Sequence, residues 1–373
     1  MFDDVAVEND SIRLDSSYVV AFMVSNMDVI DQPREEGPSY LVLVREDGSF
    51  VTTRVGDLIG GDIDWTSDGV FFSDADSDYQ LDERGLSTSP SVKRGSEQLS
   101  HSLVGPEIHV GLYNVGFEGS DGYVTEVVVS GERTEAYDVQ GAYYDHAVCD
   151  GVLFGISSEA GVNADKYDGD KPDDVEFLAQ LFPSVNGKES LVGWKDTASL
   201  SASGPILACE DGVISYVAVS EKGSLDTDPA LLVNWDTRTG DVVELPLVTG
   251  PGEFLTNGEI GMARSAHRSI RDGNLQWIDG AGMLWSTDLK TGATDPHFDT
   301  SMSFENGLGA TKTVFTGDSV VVFTEQADGG ARVVVLDRLT GDKVTTIELP
   351  GLVDSIEQDG LTVWSAAVRP EWA

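Results

Sequence analysis

The chain has 373 residues, 40% of them hydrophobic, with 65 acidic against 23 basic side chains and a formal net charge of −42. That apolar content supports a sizeable core and argues against wholesale disorder, while the length fits two ordinary domains or one large repeat domain, here read as one domain over 1–373. The acidity excludes a nucleic-acid binder, which needs a basic footprint, and disfavours docking on anionic lipid.

No apolar run approaches the length of a membrane span. Met1-Phe2-Asp3-Asp4 is acidic and carries no secretory leader, as a chain trimmed of a leader or anchor would also read. Asp outnumbers Glu 41 to 24 and Arg outnumbers Lys 14 to 9. Acids scattered through every segment suit salty or calcium-containing surroundings, outside a cell or in a halophile, where salt screens the self-repulsion. A GC-rich genome with an acidic surface accounts for the same numbers.

In chain order, short β-branched and aromatic runs dominate and helical periodicity is nearly absent. Tyr18-Val19-Val20-Ala21-Phe22 and Tyr40-Leu41-Val42-Leu43-Val44 come first, then Val213-Ile214-Ser215-Tyr216-Val217, Val320-Val321-Val322-Phe323 and Arg332-Val333-Val334-Val335-Leu336. Each is too short for a helix and typical of a strand. Between such runs stand Asp68-Gly69, Asp150-Gly151, Asp211-Gly212, Asp272-Gly273 and Asp359-Gly360, with the inverted Gly317-Asp318. Asp-Gly favours tight hairpins because both residues tolerate positive φ. A second turn recurs as Asp236-Thr237-Arg238-Thr239-Gly240, Asp288-Leu289-Lys290-Thr291-Gly292 and Asp337-Arg338-Leu339-Thr340-Gly341, its glycines 52 and 49 residues apart.

The two turns alternate, giving strand, Asp-Gly turn, strand, loop, strand, Thr-Gly turn, strand. A four-stranded antiparallel meander of this kind cannot bury both faces alone; units of 40–50 residues stacked round an axis can, which is the all-β β-propeller. Inner strands are expected near residues 12, 62, 101, 144, 206, 267, 313 and 355, which allows seven or eight blades, the tally favouring eight and seven being the commoner architecture. The last unit, Val353 to Arg369, has only two strands, and a strand around Val5-Ala6-Val7 is expected to help complete it, closing the ring with both termini.

The stretch Arg332-Val333-Val334-Val335-Leu336-Asp337-Arg338-Leu339-Thr340-Gly341-Asp342-Lys343 resembles the quinoprotein-type (PQQ-like) and WD40/YVTN-like propeller repeats of bacterial proteins, whose third strand typically ends in such a turn. The likeness covers roughly residues 200–350 well and the first half weakly. The tryptophan that often follows the turn in quinoprotein repeats is missing from all three copies. The motif specifies a turn, so the resemblance implies a fold and carries no functional residues across.

Several clusters carry candidate chemistry. Asp74, Asp76 and Asp78, followed by Gln80, Asp82 and Glu83, alternate as in a calcium loop, although Tyr79 replaces the usual glycine. Asp165, Asp168 and Asp170 form a second acidic loop with an Asp-Gly-Asp core; calcium is the one candidate cofactor. For both loops the plainer expectation is a solvated acidic turn. Cys149 and Cys209, the only cysteines, both precede an Asp-Gly turn in neighbouring units, so a disulfide and two buried thiols are both open, the one-residue offset of their turns favouring thiols. Arg264, His267, Arg268 and Arg271 form the one dense basic cluster, on an expected inner strand, with Arg264 and Arg268 on one face and His267 and Arg271 on the other. They suit either an anion pocket or pairing with acids at a blade interface, the latter weighing more. His101, His146 and His267 fall near inner strands, where three histidines could meet a transition metal, but separate packing roles are the stronger expectation.

No nucleophile elbow, His-Glu-x-x-His, phosphate loop or Cys-x-x-Cys is present. The function expected is therefore binding: a monomeric exported or cell-surface propeller engaging a protein or carbohydrate partner. The alternatives are a propeller enzyme (glycoside hydrolase, lactonase or quinoprotein-type dehydrogenase) with its site at the central channel, or an envelope scaffold.

Overall fold

Alternate residues of the strand Tyr18–Asn26 face different neighbours. Val20, Phe22 and Val24 join one hydrophobic cluster, while Ala21 and Met23 join another. Ser39–Arg45 divides the same way, with Tyr40, Val42 and Val44 on one side and Leu41 and Leu43 on the other. A strand with period-2 side chains and two apolar faces must be sandwiched between two sheets. This is why the runs read as continuous hydrophobic stretches, with no polar face.

The computed structural model describes residues 6–9, 11–26, 38–95, 97–105, 108–117, 122–131, 133–157, 175–196, 199–201, 206–220, 224–261, 263–302, 311–325 and 330–372. They form an all-β propeller of seven blades. Blade 1 has Leu361–Val368 as its inner strand, then Tyr18–Asn26, Ser39–Arg45 and Phe50–Val55. Blade 2 runs Asp64–Thr66, Gly69–Ser73, Ser77–Asp82, Gly85–Pro90, and blade 3 runs Glu97–Gly105, Ile108–Phe117, Tyr123–Ser130, Glu135–Gln140. Blade 4 comprises Asp145–Cys149, Val152–Ser157, Val175–Phe182 and Ser190–Asp196. Blade 5 comprises Ala208–Glu210, Val213–Ser220, Leu231–Asp236 and Val242–Pro246, with Ser199–Ser201 also on its inner edge. Blade 6 is Ile270–Arg271, Asn274–Ile278, Met283–Asp288, Thr294–Asp299, and blade 7 is Lys312–Phe315, Ser319–Glu325, Ala331–Asp337, Lys343–Glu348. The short strand Ile59–Gly60 pairs in parallel with both blade 1 and blade 3. No helix among the described residues is long and apolar enough to cross a membrane.

Of the seven or eight blades expected, seven form, because the segment near residue 12 makes no strand; Ile12 is buried among the side chains of blades 1 and 2. Both termini close the ring, as expected, with a different division of strands. Val353 lies in the helix Leu352–Gln358, whose Leu352, Val353 and Ile356 pack between blades 1 and 7, so Asp359-Gly360 ends a helix instead of a hairpin. One C-terminal strand meets three N-terminal ones; of the expected strand Val5-Ala6-Val7, Val5 lies outside the described residues, and Ala6 forms an isolated bridge to Thr52, whose carbonyl accepts from Val7 N. The described part of the acidic stretch from Asp74 to Ser100 is mostly strand.

The Thr-Gly turns join the third and fourth strands of blades 5, 6 and 7. In each, the Asp Oδ1 accepts two backbone N–H bonds: from Arg238 and Thr239 to Asp236, from Lys290 and Thr291 to Asp288, and from Leu339 and Thr340 to Asp337. The side chains of Arg238 at Asp236 and Thr291 at Asp288, followed by these backbone bonds, hold those two carboxyls below the usual aspartate range, while at Asp337 the backbone bonds lead and the Thr340 hydroxyl adds to them. Each turn glycine then rests on the preceding blade: Gly240 on Val192, Gly292 on Pro246 and Gly341 on Phe298.

Cys149 and Cys209 are joined by a disulfide with Cα atoms 5.6 Å apart. The inner strands of blades 4 and 5 are close enough to share a parallel bridge between His146 and Ile206, with Leu207 N donating to His146 O at 2.8 Å. Three residues further along each strand stand the two cysteines, so the register aligns them whatever the offset of their turns.

Candidate functional site at the channel mouth

All seven blades meet at a cavity of about 380 Å³ at one end of the axis, between Asp62, Gln98, Tyr144, Ile206, Arg264, Lys312 and Trp364. Inner strands and the segments leading into them supply these side chains, as propeller geometry requires. Burial pushes the Lys312 ammonium down to about 8; Arg264 adds repulsion, and the carboxylate of Asp62 opposes it. Burial also lowers Arg264. Across the mouth, burial and then the neighbouring Asp64 raise Asp62 to about 6, although the backbone N–H groups of His101 and Ile63 donate to it. Among the described residues no hydrogen bond or ion pair reaches Lys312 Nζ. Two aromatic side chains, Trp364 and the exposed Tyr144, line the same opening.

The expected basic cluster does not converge. Residues 264–271 are not one strand: Arg264 makes an isolated bridge to Ile278, and the chain turns at His267 and Arg268, both exposed, before Ile270–Arg271. The strand-face argument therefore fails. Arg264 reaches the channel, whereas Arg271 donates to Gly317 O at 2.9 Å and lies 3.7 Å from Asp272 and Asp318, at the junction of blades 6 and 7. Lys312, distant in sequence, takes the place beside Arg264. Its only signal was its position on an expected inner strand near 313.

A second arginine, Arg338 of a Thr-Gly turn, is fully buried at the same junction. It donates to the carbonyls of Arg268, Ser269 and Thr316 at 2.7–2.8 Å and to Gln276 Oε1. Burial and the nearby Arg271 lower it to about 10.

The first acidic stretch holds its carboxylates apart. Asp74 Oδ1 accepts from Asp76 N and Ser77 N, and its Oδ2 from Gly56 N and the Tyr79 hydroxyl. Asp78 pairs with Lys93 at 2.9 Å, and Asp82 pairs with Arg84. Asp74, Asp76 and Asp78 do not gather their oxygens round one point among the described residues. Asp165, Asp168 and Asp170 lie outside the described residues. His101, His146 and His267 sit on or beside three inner strands without forming a ligand set; His101 instead neighbours His109.

Residues 14–366 match the family model described as "YycP, beta-propeller domain". No curated protein matches the chain by sequence. Solved structures similar to it include the Synechocystis apocarotenoid oxygenase (12% identity, 91% of each chain, TM-score 0.49). Citrobacter koseri AztD is 10% identical over 94% of this chain and 98% of that one, TM-score 0.45. The Pan2 WD40 domain of Neurospora crassa is 11% identical over 83% and 93%, TM-score 0.44.

Proposed function

The chain belongs to the YycP β-propeller family, and from that premise we propose an exported binding propeller that takes a uronic-acid-bearing carbohydrate at its channel mouth. The observation that carries this reading is Lys312, an ammonium with no ion pair among the described residues of a −42 protein, beside Arg264 in one cavity. In so acidic a chain a buried cation finds an acid easily unless the site reserves it for a ligand. A carboxylate entering between the two cations offsets their mutual repulsion and gives Lys312 an ion-pair partner. Trp364 and Tyr144 add aromatic faces of the kind that cover a sugar ring, which favours carbohydrate over an acidic peptide. The disulfide and the acidic surface support an oxidising, salt-rich location.

Calorimetry with trigalacturonic acid and with an uncharged trisaccharide of the same length tests the reading. Binding of the acidic sugar alone is expected, weakened about tenfold or more by Lys312→Ala, since a hydrogen bond to a charged group is worth roughly 1.5–3 kcal/mol. Equal binding of both sugars, no binding of either, or unchanged affinity in the variant would each overturn it.

A further inference from the structure

Most neighbouring blades meet through hydrophobic clusters. Blades 7 and 1, 1 and 2, 3 and 4, 4 and 5, 5 and 6, and 6 and 7 each share one. Between blades 2 and 3 only Tyr113 and Val128 of blade 3 join such a cluster. That interface is built instead from Asp64, Phe71, Asp78, Lys93, His101, His109 and Ser130, and it opens into a cleft of about 450 Å³. Burying so many polar groups in place of Val and Leu costs stability unless they share a partner.

His101 and His109 line this cleft, and with Asp64 beside them each brings one ligand atom within 4.8 Å of the others. The hairpin Glu97–Gly105/Ile108–Phe117 explains the convergence. His101 lies opposite Gly111 and His109 opposite Leu103, so the two imidazoles share one face of the sheet as diagonal neighbours. The Phe71 ring stacks on His109 with centroids 3.9 Å apart and fixes its plane. Asp64 arrives from the inner strand of blade 2. Both histidines are more than nine-tenths buried, at 6% and 7% exposure. His101 Nδ1, both ring nitrogens of His109 and Asp64 Oδ2 have no hydrogen-bond partner.

His101 Nδ1 and Asp64 Oδ2 stand 3.6 Å apart, beyond hydrogen-bond range. The spacing is close to the edge of a tetrahedron round an ion with bonds of about 2.0–2.1 Å, which is about 3.3 Å. We propose that Asp64, His101 and His109 bind a divalent first-row transition ion of the zinc class, with an open coordination position facing the cleft. Two imidazoles and one carboxylate suit such an ion and are a poor set for calcium, which takes six or more oxygens. Three protein ligands with an open side is the arrangement of a site that receives water or a substrate oxygen, in contrast to a closed structural site.

The test is titration of chelator-stripped full-length protein with Co²⁺, read by its visible absorption, and with Zn²⁺, read by calorimetry. One ion per chain is expected, with an intense low-coordinate cobalt spectrum and zinc displacing cobalt. His109→Gln should abolish that spectrum and weaken zinc at least tenfold, with an unchanged circular dichroism spectrum. Asp64→Asn, which preserves side-chain volume, serves as a second variant should the first fail to fold. Lys312→Ala should bind zinc normally, which separates this site from the channel mouth. A weak six-coordinate cobalt spectrum, or zinc binding that survives both His109→Gln and Asp64→Asn, would overturn the assignment.

Discussion

Lys93 Nζ lies 2.9 Å from Asp78 Oδ1, with the lysine side chain wholly removed from solvent. The ammonium also donates to Ser77 O and lies over the Tyr113 ring, while Asp78 accepts from Ser73 and Ser130. A buried pair of this kind is worth little against an apolar replacement, yet breaking it leaves an uncompensated charge. Asp78→Asn and Lys93→Met should each cost about 3 kcal/mol in urea unfolding. The double variant should cost well under the sum, because no buried charge remains. A strictly additive cycle would show that the pair is solvated in solution.

Gly240 and Gly273 share nearly the same backbone, φ +77° and +75°, in different surroundings. A Cβ on Gly240 would stand 2.2 Å from the Val192 carbonyl oxygen of blade 4, whereas one on Gly273 meets nothing within 4 Å. Gly273→Ala should cost only the left-handed penalty of about 1–2 kcal/mol. Gly240→Ala should cost at least about 2 kcal/mol more, because backbone of the neighbouring blade must move. Equal losses in denaturant midpoint would mean that the Thr-Gly turn is a local device with no part in blade stacking.

This contrast bears on how much of the molecule was legible in its sequence. The turns, the strand runs and the ring closed by both termini are local or periodic signals, and they read directly. The choice between seven and eight blades did not, because the segment around Ile12 carries the apolar pattern of a strand while packing as a loop. Nor did the site. Lys312 meets Arg264, and Asp64 meets His101 and His109, through the stacking of separate blades, which leaves no spacing in the chain. The basic run at 264–271 divides at the turn formed by His267 and Arg268: Arg264 reaches the channel, while Arg271 faces Asp272 and Asp318 between blades 6 and 7, in keeping with the heavier expectation of acid pairing at a blade interface. The quinoprotein-type likeness described turn chemistry shared by the three best blades.

Asp145 gives a pH signature. Burial, then the nearby Glu176, raises its carboxyl to about 7. A folded value above the unfolded one of about 3.9 means that the folded state holds the proton more tightly. The stabilisation is complete below about pH 4 and is lost as pH rises through about 7. Asp145→Asn cannot ionise, so its stability relative to the parent should rise between pH 4 and pH 8. About 1–2 kcal/mol is expected, discounted because the side chain keeps some contact with water. Melting curves of the two proteins that stay parallel across that range would remove Asp145 as the cause.

The disulfide ties the inner strands of blades 4 and 5, while the ring is closed at blade 1 by hydrogen bonds between Leu361–Val368 and Tyr18–Asn26. Opening the ring at blade 1 therefore leaves a chain still cross-linked over a separation of 60 residues. On the chain-entropy account a loop of that length is worth about 4 kcal/mol, the constraint acting mostly on the unfolded state. Cys149 is buried beside Ala147, Phe154 and Trp235, so replacing it also disturbs packing. Reduction of the parent protein separates the two effects, since it breaks the link and leaves both sulfur atoms in place. The reduced parent and the Cys149→Ser/Cys209→Ser variant should both unfold at lower urea, with the variant lower by the packing loss. Intact mass under non-reducing denaturation should show no alkylatable thiol. Two reactive thiols there, or a midpoint indifferent to reductant, would show that the ring relies on packing and hydrogen bonds alone.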